Sequence, residues 1–133
     1  MDRAAFEGEI RSLYAQAEGG MGLEPLLEGI CDTLRRHPRA LSGISGRYAV
    51  KATDTGLARA FMLEDGVFSA LSPTAAVDAE ISGREDDLLR VFRRELTPMA
   101  ALVRGKVRVK GSRAALLRLA GIAFECVENR RTG

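Results

Sequence analysis

The 133-residue chain contains no tryptophan, one histidine, two cysteines and four prolines, and only 5% of its residues are aromatic. Each scarcity removes a class of function. Without tryptophan and with few other rings, platforms for stacking single-stranded bases are lacking. No helix-turn-helix or zinc pattern replaces them, so no nucleic-acid partner is expected. Cys31 and Cys126 stand far apart with no CxxC neighbour, which makes no disulfide framework and suits reduced thiols in a cytosol. The lone His37 sits beside Pro38 with no serine or cysteine placed to pair with it, so a nucleophilic triad has little support. No His/Cys/carboxylate spacing suggests a metal. The Gly105-Lys106 pair has alanine at position 100 and valine at 107, and the phosphate-loop pattern fails. No cofactor is expected, and the chain does not read as an enzyme. No run reaches the roughly 18 apolar residues that cross a bilayer, and the acidic N-terminus MDRAAFEGEI lacks an apolar signal core. A cytoplasmic protein is the expectation.

What is present is an ordinary globular composition, 46% hydrophobic and 29% charged, in a length that suits one domain over residues 1–133. Net charge is only +2, but it is unevenly placed. Nine bases (Arg90, Arg93, Arg94, Arg104, Lys106, Arg108, Lys110, Arg113 and Arg118) face one acid, Glu95, leaving 11 bases and 17 acids for the rest. Such asymmetry marks either an anionic partner or a solvated rim of helices and an edge strand.

Periodicity orders the chain. Phe6, Ile10, Leu13, Tyr14 and Ala17 keep helical spacing until Gly19-Gly20. A second helix opens near Leu23, carries Leu26, Leu27, Ile30, Cys31 and Leu34 as its stripe, and stops at His37-Pro38. These N-terminal helices span about residues 3–37, and the sheet with its further helices about 44–128. Gly46 to Thr53 alternates, with Tyr48, Val50 and Ala52 on one face. Leu57 to Leu63 is a second strand, Asp65-Gly66 a type I′ turn signal, and Val67 to Leu71 a third strand. Val77, Ala79 and Ile81 alternate with Asp78 and Glu80 in a fourth. Ser82 and Glu85 have capping-box spacing for a helix bearing Leu88, Leu89, Val91, Phe92 and Leu96. A short turn, Pro98 to Val103, leads to a fifth strand, Lys106 to Lys110, and Ser112 caps a helix reaching about Glu128. The fold class is α+β, a five-stranded, mostly antiparallel sheet covered by helices.

The last of these helices, AALLRLAGIAFECV over 114–127, is nearly apolar all round, and a helix on one side of a sheet needs only a stripe. Either it is buried on two sides or part of its girdle lines an apolar space. Small residues among large ones allow close packing or empty volume alike.

The stretch from Val77 to Ile122 resembles the sterol carrier protein family of non-specific lipid-transfer domains. The matching features are the strand bearing Asp78, the helix of Asp86, Leu88 and Leu89, the Thr97-Pro98-Met99-Ala100-Ala101 turn, the Gly105-Lys106-Val107-Arg108-Val109-Lys110-Gly111 string, and a leucine-rich helix. Gly46 to Leu71 fits the family's first three strands. The resemblance implies an apolar tunnel enclosed by sheet and helices, which takes a fatty acid, acyl-CoA, sterol-like or isoprenoid lipid without a catalytic residue. On that reading Phe61, Phe92, Met99, Leu102, Val103, Leu116, Leu119, Ala120, Ala123 and Phe124 line the tunnel, each with plain core packing as the competing role. Arg104, Lys106, Arg113 and Arg118 stand at its entrance for an anionic head group, with transient contact to an anionic membrane surface. The C-terminus is not a peroxisomal Ser-Lys-Leu signal, so a bacterial-type stand-alone member is expected. The alternative is an accessory module, for instance in isoprenoid-quinone metabolism, that docks a partner through its basic face. Oligomeric state is not legible.

Overall fold

The computed structural model describes residues 2–93 and 95–115. Four helices and five strands follow in the order α1 (Asp2–Glu18), α2 (Leu23–Arg36), β1 (Gly46–Ala52), β2 (Ala58–Glu64), β3 (Val67–Leu71), β4 (Ala79–Gly83), α3 (Glu85–Phe92), α4 (Pro98–Val103) and β5 (Val107–Gly111). The strands form one mixed sheet in the order β3-β2-β1-β4-β5. β1 runs parallel to β4, and every other pairing is antiparallel. This is the α+β architecture expected.

Register divides the sheet into two faces. Tyr48 pairs with Phe61 and Ala79, Val50 with Arg59 and Ile81, and Ala52 with Gly83, which in turn faces Val107. These residues point one way. Arg47, Lys51, Glu80, Arg108 and Lys110 point the other. Tyr48, Ala52, Phe61, Leu63, Ala79 and Val107 are buried, and they share two apolar clusters with α1, α2, α3 and α4. The helices therefore cover the first face. On the opposite face Lys51 and Glu80 neutralise each other at 3.0 Å, and Arg47, Arg108 and Lys110 are exposed.

The helices form for the reasons their spacing predicts. Phe6, Ile10, Tyr14 and Ala17 of α1 are all buried, and Gly20 at φ 112° ends the run. α2 lays Leu23, Leu26, Leu27 and Leu34 into the core. Its buried Thr33 satisfies its hydroxyl on the Gly29 carbonyl at 2.8 Å, which keeps a polar group inside at no net loss. Asp65 and Gly66 both have positive φ, 48° and 86°, as a type I′ turn requires. Thr97 caps α4 by accepting the Ala100 N–H at 3.1 Å. Ser112 likewise accepts from the Ala115 N–H at 3.1 Å; the helix expected beyond it, to about Glu128, lies outside the described residues.

β1, β2 and β5 end within one residue of expectation, α3 stops at Phe92 before Leu96, and the starts of β4 and α3 differ for a physical reason. The fourth strand is Ala79–Gly83 rather than starting at Val77, because Asp78 is spent on β1: its Oδ2 accepts the Arg47 N–H at 2.9 Å. Ser82 therefore lies in β4, opposite Lys51 and Arg108. It does not cap α3, whose N-cap residue is Arg84. The cap comes from elsewhere in the chain, from Asp54.

Candidate functional site

The helix-covered face of the sheet carries a row of rings. Tyr48 and Phe61 lie 5.5 Å apart between centroids, and Phe61 stacks on Phe68 at 5.5 Å. The Arg35 guanidinium sits 4.8 Å from the Phe68 centroid and closes the row toward water, a cation–π contact. Arg59, also on this face, turns its charge out to Glu28 at 2.8 Å and Glu24 at 3.6 Å. The two apolar clusters meet at Ile30 and Phe92, each packed against both. Phe92 ends α3 and stands 6.1 Å from the Tyr14 ring. The apolar core is thus continuous from β3 to β5.

The expected lining residues fall into three groups. Phe61 is buried in the first cluster, Phe92 is half-buried at the junction, and Leu102 is half-buried against the second. Met99 and Val103 stand on the surface, 63% and 79% exposed. Leu116, Leu119, Ala120, Ala123 and Phe124 lie outside the described residues, as does Arg118 of the expected entrance set.

Of the other entrance residues, Arg104, Lys106 and Arg113 are exposed. Lys106 lines a cleft with Arg84, Arg90 and Arg93, opposed by Asp86, Asp87 and Glu95. It also lines a second groove, about 560 Å³, with Arg84, Arg108 and Lys110. Arg108 and Lys110 were not in the expected entrance set. Their signal was the period of two along Lys106-Val107-Arg108-Val109-Lys110, which puts all three bases on one side. Arg93 belongs to the scaffold, donating its Nε–H to the Ala17 carbonyl at 2.8 Å.

The groups with chemical potential are otherwise engaged. His37 hydrogen-bonds Glu9 through Nε2 and meets the Phe6 ring edge-on at 6.0 Å. Arg36 pairs with the same carboxylate. Burial works against ionisation of Glu9, but the His37 hydrogen bond and the Arg36 pair outweigh it and hold the carboxyl below its ordinary range. Burial pushes the Cys31 thiol up to about 11, which keeps it protonated and unreactive at neutral pH. Among the described residues no group of three or more His, Cys, Asp or Glu side chains is placed to hold a metal ion.

A model of the SCP-2 sterol transfer family matches residues 27–124. The chain belongs to the SCP-2 sterol transfer family. Solved structures of family members share its fold. Palmitated sterol carrier protein 2 like 2 from Aedes aegypti is 18% identical, with a TM-score of 0.58 over 78% of this chain and 96% of its own. A sterol carrier protein 2 structure is 25% identical, with a TM-score of 0.54 over 86% of this chain and 91% of that one. The chain also resembles part of the stereoselective inverting sec-alkylsulfatase from Pseudomonas sp., at 17% identity and a TM-score of 0.60 over 73% of this chain. It spans only 16% of the sulfatase's length. No curated protein matches the chain. Among the described residues no helix is long and apolar enough to cross a membrane.

Proposed function

We propose that this SCP-2 family chain is a non-enzymatic lipid carrier that holds a fatty acid, acyl-CoA, sterol-like or isoprenoid lipid in an apolar tunnel between its sheet and the segment that follows β5. The observation that carries the reading is the family match over residues 27–124; the apolar core that Phe92 and Ile30 make continuous between the two clusters supports it. Phe61, Phe92 and Leu102, with Leu116, Leu119, Ala120, Ala123 and Phe124 of the following segment, contact the apolar part of the ligand. Met99 and Val103 form the lip, and Arg104, Lys106, Arg113 and Arg118 attract an anionic head group.

The energetics suit a carrier. An alkyl chain gains about 0.8 kcal/mol per buried CH₂, so a palmitoyl-length tail offers on the order of 12 kcal/mol before association costs. Those costs remove a third or more, which still leaves micromolar or tighter affinity without a specific polar contact. An apolar lining of this kind discriminates poorly among lipids, and it needs no catalytic group.

Native mass spectrometry of the purified protein, together with titration of a fluorescent fatty acid, tests the reading. Co-purified lipid released on denaturation is expected, with fatty-acid binding in the micromolar range and competition by palmitate. Absence of both at tens of micromolar ligand, in the sense of a dissociation constant beyond that range, removes the carrier role and leaves an accessory module that docks a partner through its basic face.

A further inference from the structure

We infer that the outer edge of β3 is a self-association surface: two copies of this chain join there antiparallel, β3 to β3, about a two-fold axis at Ser69. The inference goes beyond the carrier reading and uses none of the residues assigned to the lipid site.

β3 ends the sheet and pairs only with β2. Its turn decides which backbone groups face outward. In a two-residue hairpin the flanking residues, here Glu64 and Val67, exchange both hydrogen bonds, and such pairs alternate along an antiparallel ladder. Met62–Ser69 and Ala60–Leu71 are therefore the other bonded pairs. Phe68 and Ala70 turn their N–H and C=O groups away from β2, and among the described residues no hydrogen bond reaches them. The edge is open to water, since Ser69 and Ala70 are exposed and Val67 is 57% exposed. Proteins blunt such edges with lysine, proline or a bulge. β3, Val-Phe-Ser-Ala-Leu, has no charge and no proline, and its register with β2 is unbroken.

A second copy fits this edge because the edge is complementary to itself. A two-fold axis through Ser69 sets Phe68 opposite the partner's Ala70. Both present their outward groups there, so each such pair exchanges both N–H···O bonds. The same axis sets Val67 opposite the partner's Leu71, an apolar pair on the helix-free face, and puts the two small Ser69 side chains at the centre. On the other face the large Phe68 ring meets a methyl group. Arg35, which covers that ring at 4.8 Å, is already paired with Asp32 at 3.6 Å, so the copies meet without a like-charge clash at the strand. The opposite edge behaves differently. A two-fold axis through Val109 would set Arg108 against the partner's Lys110, a directly opposed like-charge pair that is destabilising. Chemistry thus favours self-pairing at β3 and opposes it at β5. Closed two-fold pairing gives a dimer and stops.

Analytical ultracentrifugation of the whole chain over a range of concentrations tests this. A contact of one short strand lies below the roughly 1,200 Å² of standard interfaces, so a weak dimer is expected, with a dissociation constant on the order of 100 µM. Ala70→Pro removes an outward donor while sparing the bonds to β2, and Ser69→Lys sets two like charges on the axis. Each should weaken the dimer about tenfold or more. Ser69→Glu alone should do the same, whereas an equal mixture of Ser69→Lys and Ser69→Glu chains should associate again, because opposite charges then face each other across the axis. Wild type that stays monomeric up to about 1 mM overturns the inference. So does an undiminished dimer in Ser69→Lys or Ala70→Pro with the fold verified by circular dichroism, or a mixture that associates no better than its components. Oligomers larger than a dimer, as open head-to-tail pairing of β3 on β5 would give, overturn it too. The measurement needs no lipid, so its outcome is independent of the carrier reading.

Discussion

The Asp54 carboxylate accepts the backbone N–H of Glu85 through Oδ1 at 2.9 Å, across 31 residues of sequence. Asp54 belongs to the β1–β2 turn and Glu85 is the first residue of α3, so one hydrogen bond ties a hairpin end to a helix start. The adjoining Thr53 N–H donates to the Gly83 carbonyl at 2.8 Å, and the Arg84 Nε stands 4.0 Å from the Asp54 Oδ2. A carboxylate at an unsatisfied helix N-terminus answers both an orphan donor and the helix dipole. The Glu85 hydrogen bond is also the chief reason the Asp54 carboxyl is held below its ordinary range.

Asp54→Ala is therefore expected to lower the melting temperature by a few degrees and to speed amide exchange over Glu85–Asp87 relative to α1. Asp54→Asn keeps an acceptor oxygen and recovers most of the loss. Because the folded-state carboxyl is depressed, its contribution is present above the ordinary aspartate range and fades as pH falls through the lower folded value. Scanning calorimetry of wild type and Asp54→Ala from neutral pH downward should show the two converging in acid. A gap that stays constant with pH contradicts the assignment.

That contact also marks where sequence reading stops. Elements governed by local spacing were legible: the ends of α1 and α2, the Asp65-Gly66 turn, and the span Pro98–Val103 all follow from residues within a few positions of one another. Ser82 was misread as a cap because its capping-box spacing to Glu85 is real. A long-range partner, Asp54, competes for that role, and β4 pairing on both sides draws Ser82 into the sheet. The site divides in the same way. Burial of Phe61 and half-burial of Phe92 and Leu102 agree with apolar positions in periodic elements. That Phe92 joins two clusters, or that Arg108 and Lys110 share a groove with Lys106 and Arg84, depends on which elements fold together, and no local pattern encodes that.

Two glycines separate backbone strain from crowding. Gly56 and Gly66 both have positive φ, 78° and 86°. A Cβ at Gly56 meets nothing within 4 Å, whereas at Gly66 it collides with the Pro38 carbonyl oxygen and backbone atoms of Leu41. The Gly66 N–H also reaches the Ile44 carbonyl at 2.9 Å, so the loop around the fully buried Leu41 clasps the hairpin turn. Gly56→Ala should cost about 1 kcal/mol, the price of a side chain in left-handed backbone. Gly66→Ala should cost about 2 kcal/mol or more, since backbone atoms cannot swing aside. Urea titration of both variants checks this, and equal midpoints would show that the 38–44 loop yields freely.

Cys31 provides a reading of the packed α2 interface from within. The thiol lies beside the first apolar cluster, and burial, reinforced by the nearby Glu28 charge, raises it from 9.0 to about 11. Thiolate is the reactive form. At pH 8 the folded protein should thus present about a hundredfold less thiolate at this position than the unfolded chain does. Disulfide-exchange labelling, with Cys126→Ser to isolate the signal, is expected to be correspondingly slow in buffer and fast in denaturant. The sign for stability follows from the same shift. Between pH 9 and 11 the unfolded thiol ionises while the folded one does not, so stability falls with rising pH across that window and is untouched at neutrality. Cys31→Ala should abolish this alkaline component. Labelling of native Cys31 at the rate of an unstructured thiol would mean that α2 does not stay seated on the cluster, and that the apolar core continuous through Ile30 and Phe92 opens on the timescale of the reagent.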